Sequence, residues 1–185
     1  SEINSNVYIV CIGSDLVNKK VDNKNLVSIL KKVATKIYKN NLILIRGTVQ
    51  VGFTNLIAKK ILEEISGLKC GKDFFIGYIP ERIIEGNAIS ELENLPQLVS
   101  GVTKPCLSKS INFCNNFFSK VIETSSTEEA EIIKLSSNSF RDLNFAFANE
   151  VARIANLHNL SGHELIKKAN LGYERNSISK PSMGV

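Results

Sequence analysis

One segment of the sequence, AEIIKLSSNSFRDLNFAFANE at positions 130–150, places polar residues along one face of an otherwise apolar stretch. Counted from the first of them, they recur after 3, 7, 11, 14 and 18 residues, which is a helical spacing. A helix that is apolar over so much of its circumference is expected to be buried, and a buried lysine is costly unless it is paired or takes part in chemistry. We call this face the polar stripe. Five of its members are polar and one is Phe145, and together they are Glu131, Lys134, Asn138, Asp142, Phe145 and Asn149.

The pattern leaves two interpretations of the polar stripe open. In the first, Lys134 is a buried cation that is paired or takes part in chemistry. In the second, Glu131 and Lys134 form an ion pair at the surface, and Asn138 contacts a helix that crosses this one.

A glycine-bearing loop, GTVQVGFT at 47–54, follows a predicted strand. Its Gly47 and Gly52 would let the backbone approach a ligand, and Thr48 offers a hydroxyl there. The alternative is a plain turn from strand to helix, with Thr54 as the helix N-cap.

A charged loop, YIPERIIEGNAISEL at 78–92, follows another predicted strand. In it, Glu81 and Glu85 flank Arg82. Two carboxylates and a guanidinium in one loop could position a polar ligand and transfer protons. The alternative is a charged loop at the protein surface.

Strands and helices alternate along the first 80 residues. Apolar runs at 7–12, 42–45 and 74–79 predict strands, the first of them buried on both faces, and helical periodicity predicts helices at 25–38 and about 54–65. This order indicates a parallel α/β sheet with right-handed crossovers. Ligands bind at the carboxyl ends of such strands, and the loops that follow those ends contain Gly13-Ser14, Gly47-Thr48 and Pro80-Glu81.

The α/β pattern continues with a strand at 98–101, a helix near 105–118 and a strand at 120–124. Ser126 with Glu129 is a capping box that predicts the start of a helix about 30 residues long, because no Gly or Pro interrupts the sequence before position 162. A second capping box, Ser161 with Glu164, predicts a shorter helix to about position 170. We therefore divide the chain into domains at 1–124 and 125–185.

The composition disfavours several classes of protein. The net charge of +5 comes from lysines scattered over helix faces, which argues against a nucleic-acid binder. The four cysteines form no CxxC pair, so neither a metal site nor a disulfide framework is expected, a reducing cytoplasm fits, and Cys11 is expected to be buried within its apolar run. No long apolar run and no leader sequence occurs, so neither a membrane span nor secretion is expected.

Taken together, the three segments resemble the UDP-glucose/GDP-mannose dehydrogenase family of nucleotide-sugar 6-dehydrogenases. The resemblance rests on GTVxxGxT, on PERIxxGxAxxEL with LPxLVxG, and on AExxKLxxNxFRDLNxAxANE. It runs over nearly the whole chain and is nearest to the branch that oxidises UDP-N-acetylmannosamine and related sugars. It implies an α/β fold in which the second half of a Rossmann-type parallel sheet precedes a long central helix, through which two copies form a homodimer.

The resemblance also implies a reaction, the oxidation of the C6 alcohol of a nucleotide sugar to a carboxylate by two NAD in succession, which supplies surface polysaccharide synthesis. By position, Thr48 matches the threonine beside the nicotinamide and the reacting carbon, and Glu81 matches an acid implicated in hydrolysing a thioester. Lys134 and Asn138 match the pair that stabilises charge on the C6 oxygen. The resemblance implies that Gly13, Ser14 and Thr48 bind the cofactor, and that Glu81, Arg82, Glu85, Lys134, Asn138 and Arg141 bind the substrate.

The sequence departs from the family pattern at several positions. Ser14 and Asp15 replace a Thr-Pro pair, Gly47 stands where relatives usually have Ser, and Gln50 stands where they usually have Pro. Glu85 falls where the UDP-glucose branch also has an acid and the N-acetylhexosamine branch usually has Pro, which leaves the choice of sugar open.

Two motifs of the family have no counterpart in these 185 residues. One is the GxGxxG fingerprint that cradles the cofactor pyrophosphate. The other is the cysteine of the PGxGVGGxC loop, although KPSMGV resembles the start of that loop. We therefore expect an internal piece of such a dehydrogenase, without turnover of its own and with poor NAD binding. An exposed strand edge and an apolar helix face lead us to expect self-association.

Three alternatives remain at this point. β-Hydroxyacid dehydrogenases also pair a Rossmann domain with a Lys-x-x-x-Asn helix, but PERIIEGNA and ANLGYERNSISKP favour a nucleotide sugar. A non-catalytic binding or dimerisation remnant is the second, although the retention of Thr48, Glu81, Lys134 and Asn138 argues against long decay. The third is a basic nucleic-acid binder, which would need an aromatic-interleaved basic stripe that the sequence lacks.

Overall fold

The computed structural model describes residues 5–82, 95–175 and 177–182. The chain divides into two compact units, Ser1–Lys134 and Leu135–Val185. The predicted division into 1–124 and 125–185 stays a prediction. The strands are β1 (Val7–Val10), β2 (Asp15–Val17), β3 (Lys20–Asp22), β4 (Leu42–Ile45), β5 (Phe75–Tyr78), β6 (Gln97–Val99) and β7 (Val121–Glu123).

The helices follow the predicted order. A π-helical segment, Phe53–Ala58, leads directly into the second of them. Among the described residues, no helix combines the length and apolarity needed to cross a membrane. The α-helices are α1 (Lys24–Ala34), α2 (Lys59–Ser66), α3 (Lys104–Cys114), α4 (Thr127–Leu157) and α5 (Gly162–Asn170).

The first unit contains the parallel sheet that the sequence predicts. Its strands lie in the order β1-β4-β5, with Val10 paired to Ile45 and Ile45 paired to Tyr78 at their carboxyl ends. The middle strand β4 is buried at every residue, because Ile43 and Ile45 pack in one core with α1 and α2, and Leu42 and Leu44 pack in a second core with Cys106 and Cys114 of α3. The parallel α/β prediction is therefore confirmed.

The pair β6 and β7 is also parallel and continues the unit beyond β5. Ser100 and Val102, just after β6, donate backbone hydrogen bonds to Tyr78 and Ile76 of β5, each at 3.1 Å. Helix α3 covers this part, where Cys106 and Cys114 are fully buried.

The edge position of β1 corrects one prediction. Ile9 is 49% exposed and Cys11 is exposed, so this strand is not buried on both faces and Cys11 is not a core residue. Only β4 pairs with β1 among the described residues, which leaves one side of β1 open. An apolar run predicts a strand but does not show where in the sheet that strand lies.

The sequence reasoning also missed the antiparallel hairpin formed by β2 and β3. Its turn residues Asn18 and Lys19 both have positive φ, at 51° and 63°. Such turns usually carry Asn-Gly or Asp-Gly, and the Lys in the second position hides the signal.

Both predicted capping boxes begin helices. Glu129 donates its backbone N–H to the Ser126 hydroxyl at 3.1 Å before α4, while its carboxylate accepts from the N–H of Ser125 at 2.5 Å rather than from that of Ser126. Ser161 accepts from the N–H of Glu164 at the start of α5.

The second unit holds most of α4 together with α5 and the tail. The Gly162 Cα lies so close to α4 that an added Cβ would be 2.7 Å from Ala152. The side-chain amide of Asn170 makes two hydrogen bonds of 2.8 Å with the backbone carbonyl and N–H of Ile178 in the tail. The side-chain amide of Asn149, in the polar stripe, makes the same two hydrogen bonds with the backbone of Ser182, at 2.5 and 2.9 Å.

The apolar flanks of α4 correct a second prediction, that this helix is buried. Phe140 is 69% exposed, Leu143 is 68% exposed and Phe147 is 56% exposed. The large apolar side chains of this stretch find no cover in a single copy of the described chain. Within the second unit, the residues of α4 that are fully buried are the small Ala148 and Ala155.

Candidate active site

A cleft of about 380 Å³ lies at the carboxyl ends of β1, β4 and β5 within the first unit. This is the edge at which a parallel sheet is expected to bind its ligand. Five of the residues predicted for the site come together there. The lining residues are Cys11, Gly13, Ser14, Arg46, Gly47, Thr48, Glu81 and Lys134.

Backbone hydrogen bonds join the three loops that form the cleft. The Ser14 N–H donates to the Thr48 carbonyl at 2.7 Å, and the Glu81 N–H donates to the Arg46 carbonyl at 3.3 Å. Because these bonds continue the sheet beyond its strands, they fix where the Ser14 and Thr48 side chains begin.

The glycines of the cleft permit close packing between two loops. A Cβ on Gly47 would lie 2.3 Å from the Ile12 carbonyl oxygen, and a Cβ on Gly13 would lie 2.7 Å from the Thr48 carbonyl oxygen. Gly47 therefore lets one loop approach another, and because it also lines the cleft, its approach to a ligand stays a prediction.

Gly52 and Thr54 have different roles from those expected. Gly52 adopts a left-handed conformation with φ of 84° and is the N-cap of the helical segment that follows. The alternative with Thr54 as the N-cap is therefore wrong. The N–H groups of both residues instead donate to the carboxylate of Glu131, at 2.6 Å from Gly52 and 3.0 Å from Thr54.

Glu131 is a fully buried carboxylate of the polar stripe. Its two oxygens satisfy donors at the start of the helix that follows the Thr48 loop, a position where a negative charge is favourable. Burial raises the pKa of Glu131 above its ordinary value, although the hydrogen bonds from Thr54 and Gly52 oppose that rise. The interpretation of Glu131 and Lys134 as a surface ion pair is therefore wrong.

Lys134 lies one turn after Glu131 and is half-buried at the wall of the cleft. Its Nζ donates a hydrogen bond to the backbone carbonyl oxygen of Glu81. This contact holds a cation at the carboxyl end of β5, beside the loop of Thr48. A fixed cation in a partly buried cleft interacts more strongly with a developing negative charge than it would in water.

Ser14 supplies the observation that fits a bound cofactor. Its hydroxyl oxygen is buried, and within the part of the chain that the structure describes it has no hydrogen-bond partner. A buried hydroxyl without a partner is costly, so an atom of a ligand is the partner that this geometry favours. The polar loops of Gly13 and Thr48 beside it suit the amide and ribose groups of a dinucleotide.

Three other predicted site residues that the structure describes are not among the residues that line this cleft. The Arg82 guanidinium donates to the Pro96 carbonyl oxygen, away from the lining. Asn138 is half-buried and Arg141 is exposed, and both belong to the second unit. Glu85 lies outside the described residues.

The sequence reasoning missed two lining residues, Cys11 and Arg46. Arg46 comes directly after a predicted strand and Cys11 lies near the carboxyl end of another, so the rule about carboxyl strand ends could have identified them. The Arg46 guanidinium also lies 6.0 Å from the centre of the Phe118 ring. In the described ranges, no three His, Cys, Asp or Glu side chains are close enough to hold a metal ion.

Sequence comparison assigns both parts of the chain to one family. The NAD binding domain of the UDP-glucose/GDP-mannose dehydrogenase family matches residues 2–122, and the central domain of that family matches residues 128–185. UDP-N-acetyl-D-mannosamine dehydrogenase of Pyrococcus horikoshii is 32% identical over 181 residues, which are 98% of this chain and 43% of that protein. The enzyme of the same name from Campylobacter jejuni is 36% identical over 161 residues, 84% of this chain and 39% of that protein.

Solved structures agree with these matches. The UDP-D-ManNAc dehydrogenase of Pyrococcus horikoshii superposes with a TM-score of 0.88 at 30% identity, over 98% of this chain and 43% of that one. The native UDP-N-acetyl-mannosamine dehydrogenase Cap5O of Staphylococcus aureus gives 0.84 at 27% identity, over 98% of this chain and 44% of that one. The chain thus spans less than half the length of these relatives, and it belongs to the UDP-glucose/GDP-mannose dehydrogenase family.

Proposed function

We propose that this chain is the cofactor-binding and central part of an enzyme that oxidises the C6 alcohol of a nucleotide sugar to the uronic acid. The observation that carries the proposal is the cleft in which Thr48, Glu81 and the half-buried cation of Lys134 meet. The proposed substrate is a UDP-N-acetylhexosamine such as UDP-N-acetylmannosamine, because the relatives named above are UDP-N-acetyl-D-mannosamine dehydrogenases. The product would serve surface polysaccharide synthesis in the cytoplasm.

When bound in this cleft, NAD would supply the hydride acceptor for oxidation at the C6 carbon of the sugar. On the protein side, the Ser14 hydroxyl, which has no partner among the described residues, forms a hydrogen bond with the cofactor. Gly13 and Thr48 line the same cleft. The close packing of these two loops keeps the hydroxyls of Ser14 and Thr48 at fixed positions, so little reorganisation is needed when the ligand binds.

Lys134 supports the reaction through its charge. Removal of the hydroxyl proton puts negative charge on the C6 oxygen before hydride leaves the carbon, and a cation that already occupies the cleft stabilises that charge. Asn138, four residues later on α4, is the proposed second donor to the same oxygen. Thr48 orients the reacting hydroxyl or a water molecule, and Glu81 accepts a proton in the hydrolytic step.

The remaining proposed contacts concern the rest of the substrate. Arg82 and Arg141 are cations suited to the phosphates of a nucleotide, and Glu85 is a candidate contact to the sugar. We also propose that two copies pair through α4, because the exposed Phe140 and Leu143 are the kind of surface that an interface covers. A second candidate function is a non-catalytic remnant that keeps this dimerisation surface alone.

The test compares the 185-residue chain with the full product of its reading frame. Each is mixed with NAD and with UDP-N-acetylmannosamine, UDP-N-acetylglucosamine or UDP-glucose, and NADH is followed by absorbance. We expect the full product to form two NADH per UDP-N-acetylmannosamine, and the 185-residue chain to form none.

The other outcomes separate the alternatives. Turnover of UDP-glucose alone would replace the proposed sugar but keep the proposed reaction. Absence of turnover by the full product with every nucleotide sugar would contradict the enzyme function and leave the remnant. Robust NADH formation by the 185-residue chain would contradict its predicted inactivity.

A further inference from the structure

Two cysteines outside the cleft lie against each other in the first unit. The sulfurs of Cys70 and Cys106 are 3.6 Å apart, although the residues are separated by 36 positions in the sequence. Cys70 lies in the loop between α2 and β5 and is partly exposed, whereas Cys106 is fully buried. The proposed dehydrogenase reaction uses neither.

The loop of Cys70 is held in place against the beginning of α3. The Cys70 N–H donates to the Glu63 carboxylate at 3.0 Å, and Gly71, with φ of 81°, turns the chain immediately afterwards. The Thr103 hydroxyl lies so near that a Cβ on Gly71 would be 2.6 Å from it. The two sulfurs are therefore brought together by independently tethered segments.

The sulfur of Cys106 receives several hydrogen bonds. The Thr103 hydroxyl lies 3.1 Å from it and the Ile76 N–H lies 3.3 Å from it, and Cys106 occupies the first turn of α3. These groups favour a thiolate at this position, as does the positive end of the helix. The Cys70 thiol is the strongest of the groups that lower the pKa of Cys106, and the same contact raises the pKa of Cys70.

We propose that Cys70 and Cys106 are a redox-active pair that forms a reversible disulfide by exchange with a low-molecular-weight disulfide. The bond would tie the loop between α2 and β5 to the beginning of α3. Its formation requires the two sulfurs to approach by about 1.5 Å, which a change in side-chain torsion can supply.

The exchange proceeds in two steps. Cys70, the sulfur that solvent reaches, first passes its proton to the Cys106 thiolate. The Cys70 thiolate then attacks one sulfur of the small disulfide R–S–S–R, so that a mixed disulfide forms and one thiolate R–S⁻ leaves. Cys106 then loses its proton to water and attacks the sulfur of Cys70, which releases the second R–S⁻. One thiol and one thiolate are oxidised by two electrons, and R–S–S–R is reduced to one thiol and one thiolate.

The other two cysteines serve as internal controls. Cys11 is exposed at the cleft, so it can form a mixed disulfide but has no second thiol in the described residues to resolve it. Cys114 is fully buried, and burial raises its pKa to about 11, which makes its thiol unreactive.

The experiment uses the folded 185-residue chain in glutathione buffers that run from fully reduced to fully oxidised. Exchange is stopped with acid, free thiols are alkylated with a maleimide in denaturant, and the products are read by intact mass and peptide mapping. Treatment of the oxidised samples with ascorbate has no effect on a disulfide, whereas dithiothreitol restores all four thiols. We expect a single cross-link between Cys70 and Cys106, formed at least tenfold faster in the folded chain than in denaturant.

Two further measurements keep the proposal falsifiable if a variant folds poorly. Cys114→Ser retains the cross-link, whereas Cys70→Ser and Cys106→Ser lose it. In the unmutated chain, oxidation raises Tm by about 5–10 °C, because the disulfide closes a long loop. A folded chain that keeps all its thiols in every buffer, or that links Cys11 or Cys114 instead, overturns the proposal.

Discussion

Helix α4 has two stretches with similar sequence patterns and different surroundings. At 127–134, in the first unit, Thr127, Ala130 and Glu131 are at most 1% exposed. At 135–157, in the second unit, Phe140 and Leu143 are more than two-thirds exposed. The same helical periodicity therefore continues from a stretch with a buried face into a stretch whose large apolar side chains are exposed.

The difference shows that an amphipathic pattern predicts a helix but not what covers it. The first stretch has a buried face, on which Glu131 accepts hydrogen bonds from the backbone of residues that are 77 and 79 positions earlier in the sequence. The second stretch has large apolar side chains and nothing in one described chain to cover them. We interpret the first stretch as the support of the site and the second as an association surface.

The largest effect is expected from Lys134→Met in the full product of the reading frame. Loss of the cation from the cleft should lower kcat about 10²- to 10³-fold, as for other donors to a developing oxyanion. NADH formation under saturating substrate measures this. Lys60→Met, which removes an exposed lysine on α2, is the matched control, and an equal loss in both variants would contradict a specific role for Lys134.

Glu131→Ala should have the next largest effect, on stability. It leaves the N–H groups of Gly52 and Thr54 without their acceptor in a buried place, at a cost of about 2–3 kcal/mol in the free energy of unfolding. Urea denaturation gives the value. Glu128→Ala removes a carboxylate that accepts a hydrogen bond from the side-chain amide of Asn55 in a place that is only partly buried, and an effect as large as that of Glu131→Ala would show that burial is not the cause.

Leu143→Glu tests the second stretch. A charge at this exposed position should leave the stability of one copy within about 0.5 kcal/mol but weaken self-association tenfold or more. Sedimentation at several concentrations measures the association. Leu56→Glu places the same charge on an equally exposed residue of the first unit, and a similar loss of association there would argue against an interface at α4.

The smallest effect concerns pH. Because burial raises the pKa of Glu131 above 4.5, the folded protein keeps this proton after the unfolded chain has lost it. The stability difference between the unmutated chain and Glu131→Gln should therefore fall as pH rises from about 4.5 through the raised pKa, and then stay constant. A difference that rises over this range would show that the hydrogen bonds outweigh burial.

The sequence predicted the elements better than their environments. The predictions of a strand at 42–45 and of helix starts at both capping boxes were correct, because these signals are local. The exposure of Cys11 was not predicted, since it depends on the order of strands in the sheet. The hairpin of β2 and β3 was missed because its turn lacks the glycine that usually identifies it.

The site was predicted to a similar extent. Four of the five predicted residues of the cleft follow carboxyl ends of parallel strands, which meet at one edge, and the fifth, Lys134, was identified from its helical spacing. The partners of Glu131 were not, since a contact over 79 positions leaves no local pattern, and the closest positively charged residue in the sequence, Lys134, suggested an ion pair instead. The roles of Gly47 and Gly52 likewise required the positions of Ile12 and of the following helix.

The most direct test of the account is a crystal structure of the full product with NADH and UDP-N-acetylmannosamine. The account predicts that the C6 oxygen of the sugar lies within about 2.6–3.2 Å of the Lys134 Nζ, with the Ser14 hydroxyl bonded to the cofactor. A sugar bound away from this cleft, or a cofactor that leaves Ser14 without a partner, would contradict the assignment of the cleft as the active site.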